Sequence, residues 1–152
     1  MCGIGGIYRR GPIPPSHACL LEAMCGALSH RGPDGSGVWS DPAAGIGLCH
    51  TRLAVLDLSS RGAQPMADAH GRGWIVYNGE VYNYREIRRE LEGRGWRFVS
   101  DTDTEVVLAA CMNWGVEKAL DRFLGMFAFA LWDAHAPALY LVRDRMGIKP
   151  LY

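Results

Sequence analysis

Met1-Cys2-Gly3-Ile4-Gly5-Gly6-Ile7 opens the chain, and its reading decides the fold. Ile4 to Tyr8 is short, apolar and punctuated by glycine, which predicts a buried strand beginning at the terminus itself. Cys2 has a side chain small enough for the initiator methionine to be removed. Removal leaves an α-amine one short step from the thiol of the same residue. The amine titrates at about 7.7–8.0 and a free thiol at about 8.5, so the two are matched for proton exchange near neutrality. Nucleophile and base then belong to one residue, the terminal analogue of a cysteine–histidine pair. Gly3, Gly5 and Gly6 allow close backbone approach around that terminus. Alone, Cys2 is a small residue beside a start codon; the downstream residues give it a chemical context.

Outward from this strand, Ser16 predicts a helix N-cap, followed at helical spacing by Leu20 or Leu21, Met24, and Ala27 or Leu28. His30-Arg31-Gly32-Pro33-Asp34-Gly35 ends that helix in a rigid polar turn. Gly37 to Trp39 and Ile46 to Leu58 read as strands, and Ser59 to Gly73 as a polar loop containing Gln64-Pro65. Trp74 to Tyr77 reads as a strand running into Asn78-Gly79, a pair that by itself signals a hairpin turn. Asn83 with Glu86 and Thr102 with Glu105 have the spacing of capping boxes. The first of these helices presents Ile87 and Leu91 and stops at Gly93. The second presents Val106 or Val107, Ala110 and Trp114 and stops at Gly115. A shorter helix over Val116 to Phe123 and strands over Met126 to Trp132 and Ala138 to Val142 complete the pattern. Helices flanking strand pairs with hairpin-like connections predict an α+β chain with largely antiparallel sheets.

Composition excludes several functions. The 152 residues are 49% hydrophobic and 21% charged, which suits one globular domain. Lysine plus arginine and aspartate plus glutamate balance at 16 each, so no electrostatic footprint favours nucleic acid or an anionic membrane. No run of about 20 apolar residues is present to span a bilayer. The start has no basic leader ahead of an apolar core, so a cytoplasmic location is expected. The five cysteines form no CxxC pair or disulfide framework, and Cys19, Cys25 and Cys111 read as small buried hydrophobes in helices. No metal is expected, since no His/Cys/Asp group has ligand spacing; neighbouring Cys49 and His50 point to opposite faces of a strand. Arg85, Arg88 and Arg89, interleaved with Glu86, Glu90 and Glu92, read as a solvated helix face.

The opening Cys2-Gly3-Ile4 together with Arg31-Gly32-Pro33-Asp34, and then His50-Thr51-Arg52-Leu53-Ala54-Val55-Leu56-Asp57, resembles the class II glutamine amidotransferases. Tyr77-Asn78-Gly79-Glu80-Val81-Tyr82-Asn83, Thr102-Asp103-Thr104-Glu105, Gly125 to Asp133 and Arg143 to Tyr152 extend the likeness toward the glutaminase domain of glutamine-hydrolysing asparagine synthetases. The resemblance runs through residues 1–152 and implies an N-terminal-nucleophile hydrolase fold, an αββα sandwich of stacked antiparallel sheets between helical layers. It further implies a domain that is C-terminally incomplete here, with an ATP-dependent synthetase domain beyond it.

The resemblance also implies roles. Cys2 attacks the side-chain amide of L-glutamine, giving a γ-glutamyl thioester and ammonia, and Asn78 and Gly79 hold the oxyanion. Arg52 receives the substrate carboxylate, a task suited to a planar, permanent cation. Asp103, helped by Glu80, receives the ammonium, and Leu53 and Val55 complete the substrate site. No cofactor is implied for these residues, Mg-ATP being expected only in the synthetase domain. The implied partners are glutamine and that domain, with no nucleic acid or membrane, and a homo-oligomer of the parent stays open. Two alternative functions stay open: a glutaminase half serving another carboxylate acceptor, such as a sugar or secondary metabolite, and a non-catalytic glutamine-binding module.

Overall fold

The glycine-punctuated start forms strand β1, Gly3–Tyr8, in a computed structural model that describes all residues from Met1 to Tyr152. It is followed by α1 (Ser16–Ala27), β2 (Gly35–Asp41), β3 (Ile46–Arg52), β4 (Met66–Ala67) and β5 (Gly73–Val81). Then come α2 (Tyr84–Gly93), α3 (Asp103–Trp114), α4 (Val116–Leu120), β6 (Gly125–Asp133) and β7 (Ala138–Arg143). All strand pairs are antiparallel, in one sheet of order β1-β3-β2 and another of order β4-β5-β6-β7.

Side-chain alternation builds the layers. On β3, Ile46 and Leu48 face the second sheet, packing with Val76, Ala130 and Trp132. Cys49, on the opposite face, joins Leu21 and Cys25 of α1 in a separate cluster. Between them Gly47 must stay small, since a Cβ there would lie 2.5 Å from Leu21 Cδ1. On β5, Ile75, Tyr77 and Val81 turn the other way, into the largest cluster, with Ile87 and Leu91 of α2 and Val106 to Cys111 of α3. The order is therefore α1, first sheet, second sheet, α2 to α4: the αββα sandwich.

Several local expectations are corrected. Ser16 is the first helical residue, and Pro15 holds the cap position without a side-chain bond. The carbonyls of Pro14 and Pro15 take the N–H groups of His17 and Ala18 instead, from a residue whose fixed φ already suits a helix. The Asn83 side chain makes no cap either; its amide donates to Arg122 O at 2.9 Å and accepts Leu124 N–H at 3.0 Å. Thr102 does cap, accepting Glu105 N–H at 3.3 Å, but the Glu105 carboxylate reaches Val99 and Ser100 rather than completing the box. Cys19 is exposed, whereas Cys25 and Cys111 are buried. The final short helix ends at Leu120 rather than Phe123. Asn78-Gly79 makes no turn: β5 runs straight through it, pairing Asn78 with Ala128 and Gly79 with Phe127. Finally, β3 stops at Arg52, and residues 53–58 leave the sheet.

Candidate active site

The early end of β3 and the shortness of β4 create the site. β4 pairs only with Trp74 and Ile75, so the edge of β5 beyond them has no strand beside it. Phe127, the partner of Gly79, accepts Asp144 N–H and donates to the Asp144 carboxylate, so its backbone polar groups point away from β5. Gly79 is thus in a non-bonded pair, and its N–H points to the open edge along with those of Tyr77 and Val81. Tyr77 N–H is taken by Gln64 Oε1 at 2.7 Å and Val81 N–H by Asp103 Oδ2 at 2.9 Å. Between them the Gly79 N–H faces a cavity of about 180 Å³.

That cavity brings together Cys2, Arg52, Leu53, Val55, Asn78, Gly79, Glu80 and Asp103, the eight residues singled out from sequence. Cys2 enters from the start of β1. Thr51 Oγ1 accepts Gly3 N–H at 3.1 Å and donates to Leu28 O at 3.0 Å, while Arg31 Nε donates to Cys2 O at 3.1 Å. A Cβ on Gly3 would approach Thr51 Oγ1 to 2.5 Å, so the terminus docks only with glycine there. The Cys2 sulfur lies 3.4 Å from Leu53 N, at the point where the chain leaves β3.

Arg52 is fixed by carbonyls rather than by an acid. Its guanidinium donates to Ser59 O at 2.7 Å and to Asp57 O, and it forms no ion pair within the chain. Those bonds curl residues 53–59 into a wall and explain why the predicted strand ends at Arg52. The wall is anchored by the Asp57 carboxylate, which accepts Ser59 N–H at 2.8 Å and Asp101 N–H at 3.1 Å. Bonding from Ser59, and then from Asp101 N–H, brings its pKa down to about 2. Val55, 71% exposed, is left at the rim.

Asp103 opens α3 and is buried, with Oδ2 accepting both the Tyr77 hydroxyl at 2.7 Å and Val81 N–H. Burial raises its pKa, against the pull of those two donors. It too lacks an oppositely charged partner in the chain, as does Glu80. A cation and a pair of acids, each without a protein counterion, therefore line one cavity beside a thiol. This arrangement suits a zwitterion whose electrophilic carbon is brought to sulfur.

Sequence reading missed Gln64, Thr51 and Lys149. Gln64 binds the β5 edge through Tyr77 N–H and α3 through Thr104 Oγ1 at 3.3 Å. It carried no signal beyond its place in a polar loop. His50 and His30 are structural: His50 Nε2 lies 3.3 Å from Tyr77 O between the sheets, and His30 Nδ1 3.1 Å from Ala27 O at the end of α1. No group of three or more His, Cys, Asp or Glu side chains is arranged to hold a metal ion, and no helix is long and apolar enough to cross a membrane.

An αββα sandwich of antiparallel sheets with Cys2 at the mouth of its cavity has the architecture of the N-terminal-nucleophile hydrolase fold. The glutamine phosphoribosylpyrophosphate amidotransferase of B. subtilis, solved with ADP and GMP, has the same fold, with a TM-score of 0.75 at 17% identity over 99% of this chain and 38% of its own. The family model for the glutamine amidotransferase domain matches residues 1–152, and the chain belongs to that family. Among curated relatives, glutamine-hydrolyzing asparagine synthetase 1 of Bacillus subtilis is 40% identical over all of this chain and 24% of its own length. Amidase chry2 of Gibberella zeae is 37% identical over the same shares. The chain thus spans about a quarter of the length of these relatives.

Proposed function

We propose that this chain hydrolyses L-glutamine to glutamate and ammonia through Cys2, once Met1 has been removed. The freed α-amine takes the thiol proton as sulfur attacks the amide carbon, then delivers it to the departing ammonia. The Asn78 amide and Gly79 N–H stabilise the tetrahedral oxyanion, Arg52 holds the substrate carboxylate, and Asp103 with Glu80 holds its ammonium. Water hydrolyses the γ-glutamyl thioester and restores the thiol. No cofactor takes part in these steps.

One observation carries the reading. Arg52 and Asp103 are opposite charges that the fold fixes by backbone and hydroxyl groups and leaves without counterions on the cavity that Cys2 enters. An α-amino acid supplies both missing ions. A glutamine-binding module without catalysis would need the same two charges but not the Gly79 N–H on the open edge.

We further propose that the ammonia serves a cytoplasmic synthetase, with residues 1–152 part of its glutaminase domain and aspartate activated by Mg-ATP in a separate domain. The likeness to the asparagine synthetase of B. subtilis supports this acceptor. The comparable likeness to amidase chry2 favours another carboxylate as the second reading. Glutamate release from glutamine by the purified chain, beside Cys2→Ala, tests the hydrolysis, with mass spectrometry confirming loss of Met1. Cys2-dependent release is expected; none from a folded, Met-free chain would overturn the proposal.

A further inference from the structure

The segment Arg143 to Lys149 has so far been given no function, yet it is one of the most heavily bonded turns in the molecule. The buried Asp144 carboxylate accepts the N–H groups of Phe127 at 3.2 Å, Ile148 at 2.9 Å and Lys149 at 2.9 Å. Arg143 donates to Lys149 O at 3.0 Å and to Gly147 O at 2.8 Å, and Gly147 supplies the positive φ of 65° that the turn needs. The product of this bracing is the placement of one side chain. Lys149, only 7% exposed, lines the same cavity as Cys2, and its Nζ donates to Met1 Sδ at 3.1 Å.

A buried ammonium with a thioether as partner is costly, and no carboxylate lies within ion-pair distance of it. Met1 is also the residue that leaves in the active form. Its departure strips Lys149 of that partner and leaves an α-amine on Cys2, at the same cavity that Lys149 lines. The turn is tied to β6 and β7, so the cation stays on that cavity.

We propose that Lys149 is a positioning residue for the terminal base, its ammonium holding the Cys2 α-amine in the neutral form that can accept the thiol proton. The inference rests on the glutaminase reading for its catalytic meaning, though not for its measurement. The other ionisable groups around the terminus are Arg31 from the turn after α1, Arg52 of β3, Asp57 of the wall, Tyr77 and Glu80 of β5, and Asp103 of α3. The acids favour a charged amine, and Lys149 joins Arg31 and Arg52 in opposing them. A unit charge across a cavity of this size, in a site of intermediate dielectric, moves a neighbour's titration by about one pH unit.

The test measures the amine without catalysis. In Cys2→Ala, where the amine is the only group that titrates at position 2, the pH dependence of the 13C-labelled methyl at that position gives its pKa. Adding Lys149→Met should raise that pKa by about one unit, and adding Lys149→Arg should leave it within a few tenths. In the Cys2 enzyme, Lys149→Met should move the acid limb of kcat/KM upward by the same amount, costing about tenfold at pH 6.5 and little at pH 9. An unchanged amine pKa in the Met variant, or an Arg variant that shifts as far as Met, would overturn the proposal. If the amine responds as expected while no variant releases glutamate, the glutaminase reading fails and the electrostatic role of Lys149 stands.

Discussion

The Tyr77 hydroxyl donates to Asp103 Oδ2 at 2.7 Å, so the strand that carries Asn78 and Gly79 also sets the acid on α3. The bond crosses from the second sheet to its helical layer. Burial pushes the Tyr77 phenol well up and the Asp103 carboxyl up, so the phenol remains a donor throughout the working range. Tyr77→Phe removes one charge-assisted bond, typically about 1.5–3 kcal/mol, from a carboxylate that burial already disfavours. The Asp103 pKa should rise further, and ammonium binding, which needs the ionised acid, should be lost at a higher pH. Steady-state kinetics should show KM for glutamine rising about tenfold at pH 7 and more at pH 6. An unchanged KM would remove Asp103 from substrate binding.

Thr51 acts on the other side of the cavity. Its hydroxyl bridges Gly3 N–H and Leu28 O, and this fixes where the terminus lies relative to β3. Thr51→Val preserves shape and orphans Gly3 N–H, while Leu28 O keeps the Arg31 N–H, at a cost of about 1–3 kcal/mol in stability. Because Cys2 then sits loosely while Arg52 and Asp103 keep their own supports, kcat should fall by about tenfold or more with KM little changed. A fall confined to KM would point to the substrate-binding groups instead.

Gly79 is constrained by β6. A Cβ there would stand 2.5 Å from Met126 O and 2.6 Å from Phe127 Cα, both backbone atoms of the paired strand. Neither can swing aside as a side-chain tip could, so Gly79→Ala must spread β5 from β6 at the site. A destabilisation of about 1–3 kcal/mol in urea, with glutamate release reduced by more than the lost folded fraction, is the expected outcome.

The sequence was most legible where chemistry and motif coincide. Cys2 could be named from its chemistry, a thiol beside its own amine, whereas Arg52 and Asp103 were named through the resemblance, an acid at a helix start being by itself only a match for the helix dipole. The elements were legible where periodicity is strong, as for Ile87 and Leu91 on α2. Asn78-Gly79 misleads as a hairpin signal because turn propensity is local, whereas the pairing that keeps β5 straight comes from β6, 50 residues on in the register Asn78 to Ala128. The end of β3 was hidden for a related reason. Leu53 and Val55 alternate like strand residues but stay exposed, because Arg52 pulls the following carbonyls round itself. Gln64 stands in no pattern and Lys149 only in the closing motif, whose likeness names no role for it, and only the folded chain puts them at the cavity.

His50 gives the stability of the chain its own pH dependence. The ring is 1% exposed between the sheets, with Nε2 against Tyr77 O and Nδ1 without a partner. Desolvation, aided by the Arg52 charge and opposed by the Tyr77 carbonyl, brings its pKa from 6.5 down to about 4. The folded state thus binds the proton less readily than the unfolded chain. The stabilisation from keeping the ring neutral is complete above the unfolded pKa and drains away as pH falls from about 6.5 toward 4. Between pH 7.5 and 4.5 that loss comes to about 2–3 kcal/mol. His50→Gln keeps a donor in place of Nε2 and removes the titration, so its unfolding free energy should fall less across this interval, by about that amount. Urea unfolding of both proteins at the two pH values measures it, and equal losses in both would show that His50 does not titrate on unfolding.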